Sequence, residues 1–377
     1  MPTPRAIAIP HERRDNFSRM MSGREPRRLP LDIPVTPPVA DLIAEHTGQR
    51  DPALAFGLDF RGVGADAHGE ADQWRAAVQQ LGVDVPDNCD VGGLGEAVLR
   101  PDAATVGEAY HFVEKFYTLA TIESVDQLQA LPWPDVNDPR YYAHLDEQVA
   151  AAVADDRVVV GHKACTVFES AWYRRGMDNL FMDLVEGNGI GDWLLDWFAE
   201  HSIAAVRAYV KAGVDVVHLG DDVGTQRGMM MAPDFWRQHL KGRLARVVAA
   251  ARDAAAQRDR ADRPLWVFYH SDGDIRAILD ELAEIGIDIV NPVQPECMPP
   301  EQVIPAHQHH LRFWGMIGTQ TTMPFGTPDD VRAAVEQCAA FARDGAGIVI
   351  APTHVLEPEV PWANIEALVE AARAVEL

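Results

Sequence analysis

The sequence predicts an α/β protein, a (β/α)8 TIM barrel with an N-terminal arm and an extra loop or hairpin excursion. Three observations lead there. First, residues 265–298 read as strand, helix, strand. The apolar run Leu265-Trp266-Val267-Phe268-Tyr269 stops at His270-Ser271-Asp272-Gly273-Asp274, and Ile275, Ile278, Leu279, Leu282 and Ile285 then recur at spacings of three and four. A second apolar run, 287–290, stops at Asn291. Strands this apolar are buried on both faces, the habit of a parallel sheet, and right-handed crossovers bring their polar ends to one edge. Second, strand–helix units repeat from residue 141 onward. Third, no strand is followed by Gly-x-Gly-x-x-Gly, so a dinucleotide-binding sheet lacks its fingerprint.

Taken in order, residues 1–28 form the arm, rich in Pro and Arg, with a short helical pattern around Phe17, Met20 and Met21. It is read as packed on the domain, or as a cap that brings cations over an anionic ligand. Residues 29–377 are read as a single barrel. A first strand is expected at 29–35, interrupted by Asp32, and a helix at 39–46. Residues 50–130 are read as an irregular excursion from the barrel. It holds a Gly-rich run (Gly57, Gly62, Gly64), a helix at 71–81, turns at Pro86-Asp87-Asn88 and Gly92-Gly93, and Ser124 with Gln127 as a capping box. Strands follow at 157–160, 214–219, 265–269, 287–290, 311–317 and 347–351. Between the last two, Thr327-Pro328-Asp329-Asp330 is a strong helix start, with a cap, Pro at the first position and acids in the first turn.

At 377 residues and 47% hydrophobic composition, the chain can bury a sizeable core. A formal net charge of −24 argues against nucleic-acid binding and against docking to anionic lipid. The four cysteines show no Cys-x-x-Cys unit, which fits free thiols in a reducing compartment. Residues 1–10 lack an apolar core of signal-peptide length, and no stretch approaches the roughly 20 apolar residues of a membrane helix. The expectation is a soluble cytoplasmic protein.

Residues just after the predicted strands converge on one face of a barrel, where barrel enzymes keep their chemistry. They include Asp32, His162, His218, Asp221, Asp222, His270, Asp272, Asn291, Gln294, Glu296, Cys297, Gln320 and His354. Three readings stay open. One is a metal site: His270, Cys297 and His354 offer soft and borderline ligands, with Glu296, Asp272 or Asp222 to complete a zinc shell. Another is metal-free acid–base work by the strand-end Asp and His residues. The third is structural, with Asp221, Asp222 and Asp274 capping helices. Elsewhere, Cys338 reads as core, Cys165 as a packing residue, and His307, His309 and His310 as a solvated loop that resembles a metal tract.

Several of these residues lie in stretches that resemble the uroporphyrinogen decarboxylase (URO-D) superfamily, and its bacterial uroporphyrinogen-decarboxylase-like branch in particular. They are Phe168-Glu169-Ser170-Ala171-Trp172-Tyr173-Arg174-Arg175-Gly176-Met177, Gly220-Asp221-Asp222-Val223-Gly224-Thr225-Gln226-Arg227-Gly228, His270-Ser271-Asp272-Gly273-Asp274, Asn291-Pro292-Val293-Gln294-Pro295-Glu296, Pro324-Phe325-Gly326-Thr327-Pro328 and Ala351-Pro352-Thr353-His354. The resemblance implies a (β/α)8 barrel and one of two activities: cofactor-free decarboxylation of porphyrinogen acetates, or zinc-dependent methyl transfer to or from a corrinoid. The decarboxylases carry an Arg-Gln-Ala-Gly-Arg-Tyr signature that residues 13–28 lack. The methyltransferases carry a His-x-Cys zinc motif that begins at the position of His270. Asp272 stands at the Cys position, and His354 stands near their last Cys. Harder ligands of this kind suit Lewis-acid activation of an ether or hydroxyl oxygen better than activation of a thiol.

The resemblance therefore implies a methyltransferase moving a methyl group between a small methylated substrate and a corrinoid on a partner protein. Asp222, His270 and His354 are its expected catalytic residues. Asp32, His218, Arg227, Asn291, Gln294 and Gln320 are the expected substrate contacts. Zinc is expected on His270 and His354 together with Asp272, Glu296 or Cys297. A homodimer is left open. The alternative is a metal-free decarboxylase in which Asp32 or Asp222 stabilises a protonated intermediate while Arg227 or the arm arginines hold carboxylate. A non-catalytic binding protein on the same scaffold is the third reading.

Overall fold

The computed structural model describes residues 12–86, 88–99, 115–258 and 263–377. Seven strands form the main sheet: β1 (Phe60–Val63), β2 (Val158–Lys163), β3 (Val216–Gly220), β4 (Trp266–His270), β5 (Ile289–Asn291), β6 (Arg312–Trp314) and β7 (Ile348–Val349). Each pairs in parallel with the next in chain order. The crossovers include the helices Leu145–Ala154, Ile190–Ala212, Gly242–Ala256, Leu279–Glu284, Pro300–His307 and Pro328–Arg343, and Trp362–Ala374 closes the chain. This is the curled parallel sheet of a TIM-barrel-like fold. Val158, Val159, Val160, Val216, Val217 and Val267 are all buried, which is why these strands read as apolar runs rather than as alternating ones.

Two stretches differ from the sequence reading. Residues 29–35 form no ladder; they contribute single parallel bridges, Leu31 to Ile350 and Val35 to Leu356. Pro30 and Pro34 carry no N–H, so continuous pairing is chemically blocked there. The Leu31 segment still meets both edges of the sheet, because Asp32 N donates to Ile350 O and Asp59 N donates to Leu31 O. The second difference is β1, which lies inside the stretch read as an irregular excursion. Its Gly62 is not a turn residue. A side chain there would meet the imidazole of His162 at 2.6 Å, so the glycine makes room for a neighbour on β2. The excursion proper is a small antiparallel sheet of Cys89–Val91, Ala97–Leu99 and Lys115–Phe116. The expected turn at Pro86-Asp87-Asn88 lies partly outside the described residues.

The arm is a helix, Arg13–Met21, whose Phe17, Met20 and Met21 are buried. Among the described residues, its cations do not reach the C-terminal ends of the strands. Arg14 makes a two-pronged pair with Asp215, at 2.5 and 3.1 Å, and Arg28 pairs with Asp59. Asp215 and Asp59 sit just before β3 and β1, so these arginines close the opposite edge of the sheet. For the described part of the arm, that corrects the reading of a cap over an anionic ligand; residues 1–11 lie outside the described residues. Thr327 opens its helix as expected, with a reciprocal capping box to Asp330. The four cysteines are free thiols. Among the described residues no helix is long and apolar enough to cross a membrane.

Tyr209, on the long helix Ile190–Ala212, ties that helix to the sheet. Its hydroxyl accepts from Ala65 N at 2.9 Å and lies 2.7 Å from His162 O and 2.9 Å from Ala65 O. Tyr209→Phe leaves these groups unpaired in a buried place. It should cost about 1–3 kcal/mol, read as a lower urea midpoint at unchanged slope.

Candidate active site at the strand ends

The registers place Gly220, His270 and Asn291 side by side at the ends of β3, β4 and β5. Asn291 Nδ2 donates to Trp314 O at 2.6 Å, so its Oδ1 is left to accept, and His270 Nδ1 lies 2.5 Å from it. This network assigns the imidazole proton to Nδ1 and turns Nε2 toward the strand ends. There, Nε2 meets Asp222 Oδ1 at 3.7 Å and Asp272 Oδ1 at 3.9 Å, and the His354 ring centroid lies 6.0 Å from that of His270. Donor atoms of His270, Asp272 and His354 all fall within 4.8 Å of one another.

Further bonds fix the carboxylates. Asp222 Oδ1 accepts from Asp272 N at 2.7 Å, and Gln294 Nε2 donates to Asp272 Oδ1 at 3.3 Å. Gln294 Oε1 in turn accepts from Gly273 N at 2.7 Å. Glu169 accepts from the Tyr173 hydroxyl at 2.6 Å. Burial pushes the Asp272 pKa up to about 6, with Asp222 and Glu296 adding repulsion and His270 partly offsetting it. Burial and Asp222 push Glu169 up to about 7. For His270, burial opposes the charge, but Asp272 and Asp222 outweigh it and the pKa rises. Several carboxylates thus crowd one imidazole. Asp221 does different work: it accepts from Val167 N and Glu169 N, capping the helix Phe168–Arg175, and burial holds its pKa well above the ordinary value.

Two cavities meet at His354. The inner one, about 190 Å³, holds Asp32, His162, His218, His270 and Asn291 among Phe60, Phe268 and Trp314. In it, His162 Nδ1 and His218 Nδ1 are 2.8 Å apart, and burial draws the His162 pKa down to about 4. The outer one, about 900 Å³, is lined by Glu169, Trp172, Tyr173, Asp222, Asp272, Gln294 and Gln320 among others. Among the described residues, neither cavity is lined by Arg or Lys.

The expected site residues therefore divide. Asp32, His218, Asp222, His270, Asp272, Asn291, Gln294, Gln320 and His354 line these two cavities. Cys297 does not join the three-donor group. It is buried, its Sγ lies 3.4 Å from Gln294 Oε1, and burial raises the thiol pKa to about 11, away from the thiolate a metal needs. Glu296 is also outside that group and accepts from Thr321 Oγ1 at 2.9 Å. Arg227 is exposed on the tip of the hairpin Gly224–Thr225/Gly228–Met229 and lines neither cavity. Glu169 and Tyr173 fall outside the strand-end rule because they lie on the helix Phe168–Arg175, Glu169 in its first turn and Tyr173 one turn further on. Their only sequence signal was membership of a motif stretch.

A model of the family "Uroporphyrinogen decarboxylase (URO-D)" matches residues 117–375, well over half of the chain. The chain belongs to the URO-D family. Two curated relatives are both named "Methylcobamide:CoM methyltransferase MtaA". One, from Methanosarcina barkeri, is 29% identical over 177 residues; the other, from its strain Fusaro / DSM 804, is 28% identical over 177. Each alignment covers 47% of this chain and 47% of the relative, so the chain spans about half the length of the curated relatives it matches. A solved structure described as a methyltransferase from Methanosarcina mazei superposes with a TM-score of 0.59 at 18% identity, covering 96% of this chain and 98% of that one; it shares the fold. The URO-D match takes in Glu169, Asp222, His270, Asp272 and His354, while Asp32 lies before it.

Asp32 offers a test of the inner cavity. Burial raises its pKa to about 6, although Ile33 N and Trp314 donate to it. Its folded pKa exceeds the unfolded one, so its stabilising contribution is full below about pH 4 and is lost as pH rises through 6. Asp32→Asn should match the wild-type unfolding midpoint near pH 4. At pH 8 it should be the more stable by on the order of 1–2 kcal/mol, in paired thermal melts.

Proposed function

We propose that this protein transfers a methyl group between a small methylated compound and a corrinoid delivered by a partner protein, with zinc held by His270, Asp272 and His354. The observation that carries the reading is the convergence of those three donors within 4.8 Å at the strand ends. Two imidazoles and a carboxylate fit a zinc site with three protein ligands and one open position. When bound, the metal would supply Lewis acidity to the heteroatom that gains or loses the methyl group. The relatives named as methylcobamide methyltransferases support the transfer class and the corrinoid partner. The reading also takes residues 29–377 as one eight-stave barrel, with the Leu31 segment completing the ring.

The chain's own residues then have definite tasks. Asn291 holds the His270 tautomer that leaves Nε2 unprotonated. Gln294 orients the Asp272 carboxylate. Asp222 and Glu169 sit where a proton on the heteroatom has to be held or passed, and the Glu169 pKa of about 7 suits either direction. The donor set is harder than a thiolate site, which favours an oxygen-bound methyl group. Among the described residues the lining has carboxylates and no Arg or Lys, which favours a neutral or cationic substrate over an anionic one. The outer cavity is wide and has the apolar groups Trp172, Met177, Met230 and Phe325 on its walls, which suits the face of a corrin.

The decarboxylase alternative needs cations for substrate carboxylates, and among the described residues its two expected sources lie elsewhere. Arg227 is on a hairpin tip, and Arg14 and Arg28 are paired at the other edge of the sheet.

In tag-free protein, His270→Ala and His354→Ala should each lower the zinc content by about one ion per chain. The wild type should demethylate an aryl methyl ether or methanol in the presence of cob(I)alamin, read as methylcobalamin absorbance. Turnover that resists chelators and releases carbon dioxide would instead establish the lyase. Asn291→Ala, which frees the imidazole to rotate, should weaken zinc affinity by about 10–100-fold while leaving the fold intact by circular dichroism.

A further inference from the structure

A second group of donors lies outside the cavities and has no part in the chemistry above. Asp280 stands on the helix Leu279–Glu284, His307 ends the helix Pro300–His307, and His310 lies in the turn just before β6. His307 Nδ1 is 3.0 Å from Asp280 Oδ1, and His310 Nε2 is 3.2 Å from the same oxygen. All three donor atoms fall within 4.8 Å of one another. Zinc bonds of about 2.0–2.1 Å in a tetrahedron set neighbouring donors about 3.3 Å apart, close to both measured separations. His307 and His310 thus converge on one carboxylate oxygen from two different elements. The Asp280 side chain is 78% exposed, so a fourth position is open to water.

We propose that Asp280, His307 and His310 bind a divalent transition-metal ion, with zinc as the reference case. The ion clips the crossover helix after β4 to the turn before β6. His310 precedes a strand, so the clip sits at the edge of the sheet opposite His270 and His354, where barrel proteins keep stability rather than chemistry. Water completes the shell.

The test uses the full chain without a histidine tag, titrated with zinc alone in a calorimeter and checked by metal analysis. In a His270→Ala/His354→Ala background, about one zinc per chain should remain, and adding His307→Ala/His310→Ala should remove it. In the otherwise wild-type chain, His307→Ala/His310→Ala should lower the stoichiometry by about one and reduce the zinc-dependent thermal shift. Asp280→Ala, a surface change that spares both imidazoles, should weaken binding at least about tenfold. An unchanged zinc stoichiometry in the His307→Ala/His310→Ala chain would overturn the proposal. A chain that binds one zinc insensitive to His270→Ala/His354→Ala but lost with His307→Ala/His310→Ala would uphold this site while removing the metal from the strand ends.

Discussion

The contact on which the site depends is the relay Trp314 O, Asn291, His270. It runs across the ends of three adjacent strands, β6, β5 and β4, and is possible only because those strands are parallel and in register. The Trp314 carbonyl can only accept, so it dictates how the Asn291 amide is turned, and the amide dictates which nitrogen of His270 carries the proton. A slip of one residue in β5 would point Asn291 to the other face and leave the ring without an orienting partner. The catalytic reading therefore rests on sheet geometry more than on the loops above it.

Charge is distributed unequally along the strands. At their N-terminal edge, acidic side chains are matched: Asp215 by Arg14, Asp59 by Arg28, and Asp288 by Arg252. At the C-terminal edge, Asp222, Asp272 and Glu169 gather around His270, and the neighbouring cavities carry no Arg or Lys among the described residues. Burial makes that crowding costly, which shows in the raised pKa values of Asp272 and Glu169. Proteins keep such clusters where function uses them, and a fold that can neutralise carboxylates at one end has the means to do so at the other.

Much of this architecture was legible in the sequence because buried parallel strands are apolar throughout and end abruptly in polar residues. Trp266–His270 and Ile289–Asn291 were visible for that reason, and with them His270, Asp272 and Asn291. β1 was hidden because Gly62 looks like a turn signal; its true cause, the His162 ring pressed against it, is a contact 100 residues away in the chain. Cys297 looked like a ligand because a thiol followed a strand. Which way it faces depends on the local turn, and that turn aims it at Gln294. The arm arginines showed their charge but not their edge, since Asp215 and Asp59 become neighbours only after folding.

Asp272 and His354 show how composition and geometry bear together on chemistry. The family resemblance read in the sequence implies thiolates at or near both positions, and the sequence alone left open whether a metal site survives the exchange. The donor atoms of both converge with His270, so the harder groups at these positions are not dispersed. A carboxylate donates less charge to a metal than a thiolate does and leaves the ion a stronger Lewis acid. The same substitution that weakens the case for activating a thiol thus strengthens the case for drawing a methyl group from oxygen. The acid-rich lining, which repels anionic substrates, narrows the choice in the same direction.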